Sequence, residues 1–195
     1  MMGEFKMTTI YFIRHAEPNY NNHNDMEREL TLKGLIDREL VTSYLSNKNI
    51  EILLSSPYKR SIDTIQHFAD RVGLRISLID NFKERRIDSV WVDDFNEFCK
   101  QQWNDFSYKL SDGETLKEVQ ERNIQALFEV LKTYKNKNIV IGSHGTALSL
   151  IINYFDNSFA YKEFQEIKSL FPWIVKFTFE ESSLLSIEKI NVHQL

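Results

Sequence analysis

Arg14 and His15 follow an apolar run in IYFIRHAEPNY, and His144 and Gly145 follow another in IVIGSHGTA. Both imidazoles are therefore expected at strand ends, where open α/β sheets bind their ligands, so the two segments read as halves of one site. The chemistry that suits them is phosphoryl transfer from a monoester, which needs a nucleophile, cations for the non-bridging oxygens and an acid for the departing alkoxide. His15 fits the first role, because a neutral imidazole attacks phosphorus without first losing a proton; the intermediate would be phosphohistidine. Arg14 beside it offers fixed donors to the phosphate. Arg60, in LSSPYKRSIDT, is expected at the start of a helix just after a strand, where it can share the same anion. Gly145 lets the backbone pass close to a ligand, next to His144. Glu84, in NFKERRIDS, is the carboxyl group best placed to act as general acid.

Strand-forming runs at Thr9-Ile13, Ile50-Leu54, Arg75-Ile79, Ile139-Ile141, Trp173-Phe179 and Leu184-Ile190 are separated mostly by stretches with helical period. IYFI and IVI are apolar without alternation, as expected for strands covered on both faces. The expected fold is thus α/β: a three-layer sandwich with a largely parallel central sheet flanked by helices. Ser56-Pro57 predicts a helix from about Pro57 to Val72. Thr115 to Glu118 forms a capping box opening a second helix, with Leu116, Val119, Leu127, Leu131 and Tyr134 close to helical spacing. A third is expected from Thr31 to Leu45, with Leu32, Leu35, Ile36 and Leu40 on its buried side despite Gly34. The closing stretch reads as a hairpin turned at Glu180-Ser183.

The 195 residues fit one domain, 1–195, and their net charge of −4 gives no general attraction to nucleic acid or anionic lipid. A single cysteine, Cys99, excludes an intrachain disulfide and a cysteine zinc site. No signal-peptide pattern or membrane-length apolar run is present, so a cytoplasmic protein is expected. Metal binding is the chemical rival for His15, His23, Asp25 and His144, but these show no recognised ligand spacing, and Arg14 and Arg60 would repel a metal while attracting an anion. His67 and His193 read as surface residues.

Taken together, these segments resemble the histidine phosphatase superfamily, also called the phosphoglycerate-mutase-like family. Arg14-His15-Ala16-Glu17 resembles its opening motif, with Ala16 where glycine is usual. Thr31 to Gly34 resembles its next signature, Ser56 to Arg60 with Thr64 its second arginine motif, Asp112 to Thr115 a later loop, and Ser143 to Gly145 its second histidine motif. The resemblance implies that His15 is phosphorylated, that Arg14, Arg60 and His144 hold the phosphoryl group with Asn21 as a further contact, and that Glu84 moves the proton. It implies no metal and no cofactor, a small phosphorylated metabolite as substrate, and a small cap around 85–113. The aromatic residues Trp91, Phe95, Phe98, Trp103 and Phe106 are expected mainly to pack, with some rings available to a substrate pocket. Arg85 and Arg86 are expected in solvent, although such a pair can grip a carboxylate or a second phosphate. The main expectation is a phosphomonoester phosphatase; the alternatives are a cofactor-dependent phosphoglycerate mutase and a non-catalytic phospho-ligand binder of the same fold.

Overall fold

The computed structural model describes residues 7–89, 92 and 94–195, so Trp91 lies outside the described residues. The elements run β1 (Thr8–Arg14), α1 (Leu32–Leu45), β2 (Ile52–Ser55), α2 (Lys59–Val72), β3 (Ile76–Leu78), α3 (Phe95–Asn104), α4 (Leu116–Thr133), β4 (Asn138–Ser143), α5 (Gly145–Phe155), α6 (Tyr161–Ile167), β5 (Trp173–Glu180) and β6 (Ser183–Ile190). They build one six-stranded sheet in the order β3-β2-β4-β1-β5-β6. The first three neighbouring pairs are parallel, and β1/β5 and β5/β6 are antiparallel. A largely parallel sheet is therefore correct, with an antiparallel hairpin completing one edge.

Alternation along β1 divides the core in two. Ile10 and Phe12 point into a large cluster with α4 and α5, whereas Tyr11 and Ile13 point into a smaller one with α1 and α2. Both faces of β1 and β4 are thus covered, which is why their sequences are apolar without a break. The capping box of α4 forms as expected: Thr115 Oγ1 accepts from the Glu118 amide at 3.0 Å, and the Glu118 carboxylate accepts from the Thr115 amide at 2.8 Å. Helix α2 starts two residues later than Ser56-Pro57 suggests. Ser56 Oγ accepts from the Tyr58 amide at 3.2 Å and so shapes the turn before the helix instead of capping it.

Helix α1 corrects the sequence-based expectation for its buried face. Leu32 is 81% exposed and Ile36 68%, and Leu35 and Leu40 also face solvent; the buried residues are Gly34, Val41, Thr42 and Leu45. Close approach decides the orientation. A Cβ at Gly34 would lie 2.4 Å from the Glu17 carbonyl oxygen, so only glycine lets the first turn of α1 rest on the chain leaving β1. The Thr31 amide donates to that same carbonyl at 2.9 Å, and Thr31 Oγ1 caps the helix by accepting from the Gly34 amide.

Arg85 is the second correction: its side chain is fully buried, not solvated. Its guanidinium donates to Gln102 Oε1 and to Cys99 Sγ on α3 and lies over the rings of Phe95 and Phe98. Phe98, Cys99 and Trp103 are buried, with Trp103 against Phe106 and Phe164, so these rings pack the interior. His193 is exposed as expected, and His67 is half-buried with Nδ1 2.9 Å from Thr42 Oγ1. No helix among the described residues is long and apolar enough to cross a membrane.

The α1 packing predicts opposite outcomes for two substitutions. Gly34→Ala should destabilise the protein by about 1 to 3 kcal/mol despite alanine's better helix propensity, because the methyl group meets backbone that cannot yield. Ile36→Ser should change stability by no more than about 0.5 kcal/mol. Urea denaturation of both variants measures each value, and the reverse ranking would contradict this packing.

Candidate active site

Arg14 ends β1 and pairs with Ser143, the last residue of β4. The next residue on each strand is a histidine, and the His15 amide donates to the Ser143 carbonyl at 3.2 Å. The two imidazoles consequently meet with ring centroids 5.4 Å apart. Arg60, in the first turn of α2, joins them by donating from Nε to His15 Nε2 at 3.3 Å. Thr64 locks this approach: its hydroxyl accepts from the Ala16 amide at 2.9 Å and donates to the Arg60 carbonyl at 2.7 Å. Ala16 is fully buried there and is not among the positive-φ residues, so it needs no glycine.

Hydrogen bonding defines the His15 tautomer. Nδ1 lies 2.8 Å from the Ala16 carbonyl oxygen, which can only accept, so Nδ1 carries the proton. Nε2 then holds a lone pair, turned toward Arg60. Burial, with Arg60 and then Arg14 adding positive charge, pushes the His15 pKa well below its ordinary value and keeps the ring neutral. His144 is likewise shifted well down, by burial first and then by Arg60. A neutral imidazole with a free lone pair is a competent nucleophile at physiological pH.

Each arginine is held by a different device. Arg14 donates to the Ile167 and Lys168 carbonyls at the end of α6, and its guanidinium carbon lies 3.9 Å from the Phe171 ring centroid. Its Nε is buried without a partner among the described residues, so that N–H remains available to an anion. Burial lowers the Arg14 pKa to about 10, still cationic at neutral pH. A Cβ at Gly145 would come within 3.2 Å of that guanidinium, so a larger residue there would push it aside by a few tenths of an ångström. Arg60 donates from Nη1 to the Asp25 carbonyl at 2.5 Å and lies 3.1 Å from Asp25 Oδ1.

Glu84 sits on the loop after β3, with its carboxylate at the N-terminus of α5. Its oxygens accept from the Thr146 amide at 2.9 Å and the Ala147 amide at 3.1 Å, and Oε1 also accepts from the Arg85 amide. The structure thus brings together Arg14, His15, Arg60 and His144, and fixes Glu84 on the helix that follows His144. Asn21 is exposed on a separate turn, where its amide donates to Asn19 Oδ1, and no hydrogen bond among the described residues joins it to the cluster.

Three further residues belong to the neighbourhood and carry no motif signal. Arg122 of α4 donates to the carbonyls of Asn81, Lys83 and Glu84 and pairs with both oxygens of Glu114, which clamps the loop bearing Glu84. Its position in the α4 periodicity reads as an ordinary helix-surface cation. Arg28 is buried, pairs with Asp25 at 2.9 Å and adds to the positive field on His15. Asp25 thereby bridges Arg28 and Arg60. A cleft of about 600 Å³ opens beside the cluster, lined by residues including Tyr58, Lys83, Arg86, Asp112 and Arg122. The Tyr58 ring faces His144 at 5.1 Å.

Known proteins bear the same likeness. Residues 10–185 match the histidine phosphatase superfamily, branch 1. A protein of Hydrogenobacter thermophilus named putative phosphoserine phosphatase 2 is 23% identical over 158 residues, covering 75% of this chain and 77% of its own. The uncharacterized phosphatase PhoE of Bacillus subtilis is 27% identical over 150 residues, covering 75% and 76%. Among solved structures, a mutant phosphoserine phosphatase of Entamoeba histolytica in complex with phosphoserine superposes with a TM-score of 0.76 at 23% identity, over 96% of this chain and 99% of that one.

The depressed histidine pKa values make stability depend on pH. Both imidazoles are neutral in the folded protein well below 6.5, whereas in the unfolded chain they protonate near that value, so the unfolded state binds the extra protons. Stability should fall as pH drops below 6.5, by about 1.4 kcal/mol per pH unit for each histidine. Chemical denaturation from pH 8 to pH 5 should show this slope, and His15→Ala and His144→Ala should each remove about half of it. A slope unchanged in both variants would contradict the neutral, buried pair.

The residues matched and the fold they build place the chain in the histidine phosphatase superfamily, branch 1.

Proposed function

We propose that the protein hydrolyses small polar phosphomonoesters through a phosphohistidine at His15, without a metal ion or organic cofactor. The observation that carries this reading is the His15 ring: proton on Nδ1, lone pair on Nε2, neutral, and surrounded by Arg14, Arg60 and His144. In the first step Nε2 attacks phosphorus, the N–P bond forms as the ester P–O bond breaks, and protonated Glu84 gives its proton to the departing oxygen. In the second step Glu84 takes a proton from water, whose oxygen attacks phosphorus; the N–P bond breaks and phosphate leaves. Arg14, Arg60 and His144 neutralise the equatorial oxygens throughout, and their preorganised placement lowers the barrier more than any single contact does. Arg60 gives up its contact with His15 Nε2 when the phosphoryl group arrives. The cations around His15 attract an anion and repel a metal, which supports the metal-free scheme.

The leaving group occupies the cleft between Tyr58, Lys83, Arg86, Asp112 and Arg122. Charged groups of both signs in that lining favour a polar leaving group over an apolar one. The relatives named for phosphoserine support a phosphorylated amino or hydroxy acid as the first substrate to assay.

Purified protein should release phosphate from an aryl phosphate in the presence of a chelator. His15→Ala should lower kcat at least about a thousandfold while the protein stays folded. Acid-labile label trapped on the wild type from a labelled substrate would identify the N–P bond. Full activity in His15→Ala, or activity abolished by chelator, would overturn the scheme. Glu84→Gln should slow alkyl phosphates about a hundredfold or more while sparing aryl phosphates, because only poor leaving groups need the proton. Incubation with 3-phosphoglycerate and its bisphosphorylated relative should yield free phosphate; efficient isomerisation would favour a mutase instead.

A further inference from the structure

Ser56 takes no part in the scheme above, yet it is fully buried and its hydroxyl oxygen lies 2.7 Å from His144 Nε2. The same oxygen accepts from the Tyr58 amide at 3.2 Å. A serine hydroxyl has one hydrogen to donate, and among the described residues His144 Nε2 is the acceptor within reach of it. The other ring nitrogen, His144 Nδ1, is buried and has no hydrogen-bond partner among the described residues. His144 is neutral and so carries a single N–H, which makes its position on the ring decisive.

Two arrangements are possible, and they differ in consequence. With the proton on Nε2, the Ser56 hydrogen is buried without an acceptor among the described residues, and the partnerless His144 Nδ1 carries a lone pair, which would repel a phosphoryl oxygen brought to it. With the proton on Nδ1, Ser56 donates to Nε2, its one hydroxyl hydrogen is used, and Nδ1–H is free to donate to the anion. We propose that Ser56 is a positioning residue that fixes His144 in the Nδ1–H tautomer, so that a neutral imidazole serves as a hydrogen-bond donor to the transferring phosphoryl group. Both catalytic-site imidazoles then carry their proton on Nδ1, but for opposite ends: His15 to expose a lone pair, His144 to expose a donor. This inference rests on the reading of His144 as a phosphoryl contact.

Long-range proton–nitrogen correlation spectra of the ¹⁵N-labelled wild type, free and with inorganic phosphate, test it directly. His144 should show a pyrrole-type Nδ1 and a pyridine-type Nε2 in both states. Ser56→Ala should weaken this preference, lower kcat/KM for an aryl phosphate at least about tenfold and weaken inhibition by inorganic phosphate in proportion, whereas Ser56→Thr, which keeps a hydroxyl, should recover most of the loss. A pyrrole-type Nε2 in the wild type, or a folded Ser56→Ala protein with unchanged kcat/KM, would overturn the role of Ser56. The wild-type spectrum decides the tautomer even if the alanine variant does not fold. Full activity in His144→Ala beside a pyrrole-type Nδ1 would instead overturn the reading of His144 as an anion donor.

Discussion

Parallel pairing of β1 with β4 sets Arg14 opposite Ser143, and the polar cluster is built outward from that register. The strands are buried on both faces, so a slip of one residue would drive Ile10 and Phe12 out of the large core cluster and Tyr11 and Ile13 out of the small one. The apolar residues thereby fix the relative height of the two strand ends. His15 and His144 meet because each is the first residue past its strand, and the His15 amide closes the pairing on the Ser143 carbonyl. The next strand in the sheet, β2, brings the third contribution, delivering Ser56 and then Arg60 to the same edge.

Burial of two guanidinium groups beside two imidazoles is electrostatically demanding, and the structure meets the demand in two ways. Main-chain carbonyls at the end of α6 and at Asp25 accept from Arg14 and Arg60, while the histidines relieve the crowding by staying neutral. Among the described residues, Arg60 but not Arg14 has a carboxylate within ion-pair distance, and that Asp25 is shared with Arg28. The site therefore retains positive potential for a dianion. Glu84 lies apart from this arrangement, its carboxylate held by α5 amides rather than by an arginine side chain.

Much of this was legible in the sequence because strand ends announce themselves locally. An apolar run followed by Arg-His, Ser-Pro-x-x-Arg or Ser-His-Gly needs only a few consecutive residues to be read, and the parallel sheet, the α4 capping box and the closing hairpin are of the same local kind. What was not legible depends on pairings between distant segments. The exposed face of α1 follows from contact between Gly34 and Glu17, which outweighs the apolar pattern of Leu32, Ile36 and Leu40. Arg85 is buried because α3 offers it Gln102, Cys99 and two aromatic rings, none of them adjacent in sequence. Arg122 resembles any polar helix residue until its carbonyl partners around position 83 are known. Ser56 beside Pro57 carries the local signal of a helix start, whereas its bond to His144 spans 88 positions.

The seat of Glu84 has a consequence for how the enzyme can diversify. Arg122 bolts the loop to the core from one side, and Arg85, the very next residue after Glu84, ties it to α3 from the other. A change on the inner face of α3, where Gln102 and Cys99 hold Arg85, would therefore reach the Glu84 carboxylate as well, so packing at α3 and geometry at the strand ends are mechanically joined. Evolution toward new substrates has a freer path along the outer rim, at Lys83, Lys109 and Asp112, where side chains can be exchanged without loosening the carboxyl group from its seat.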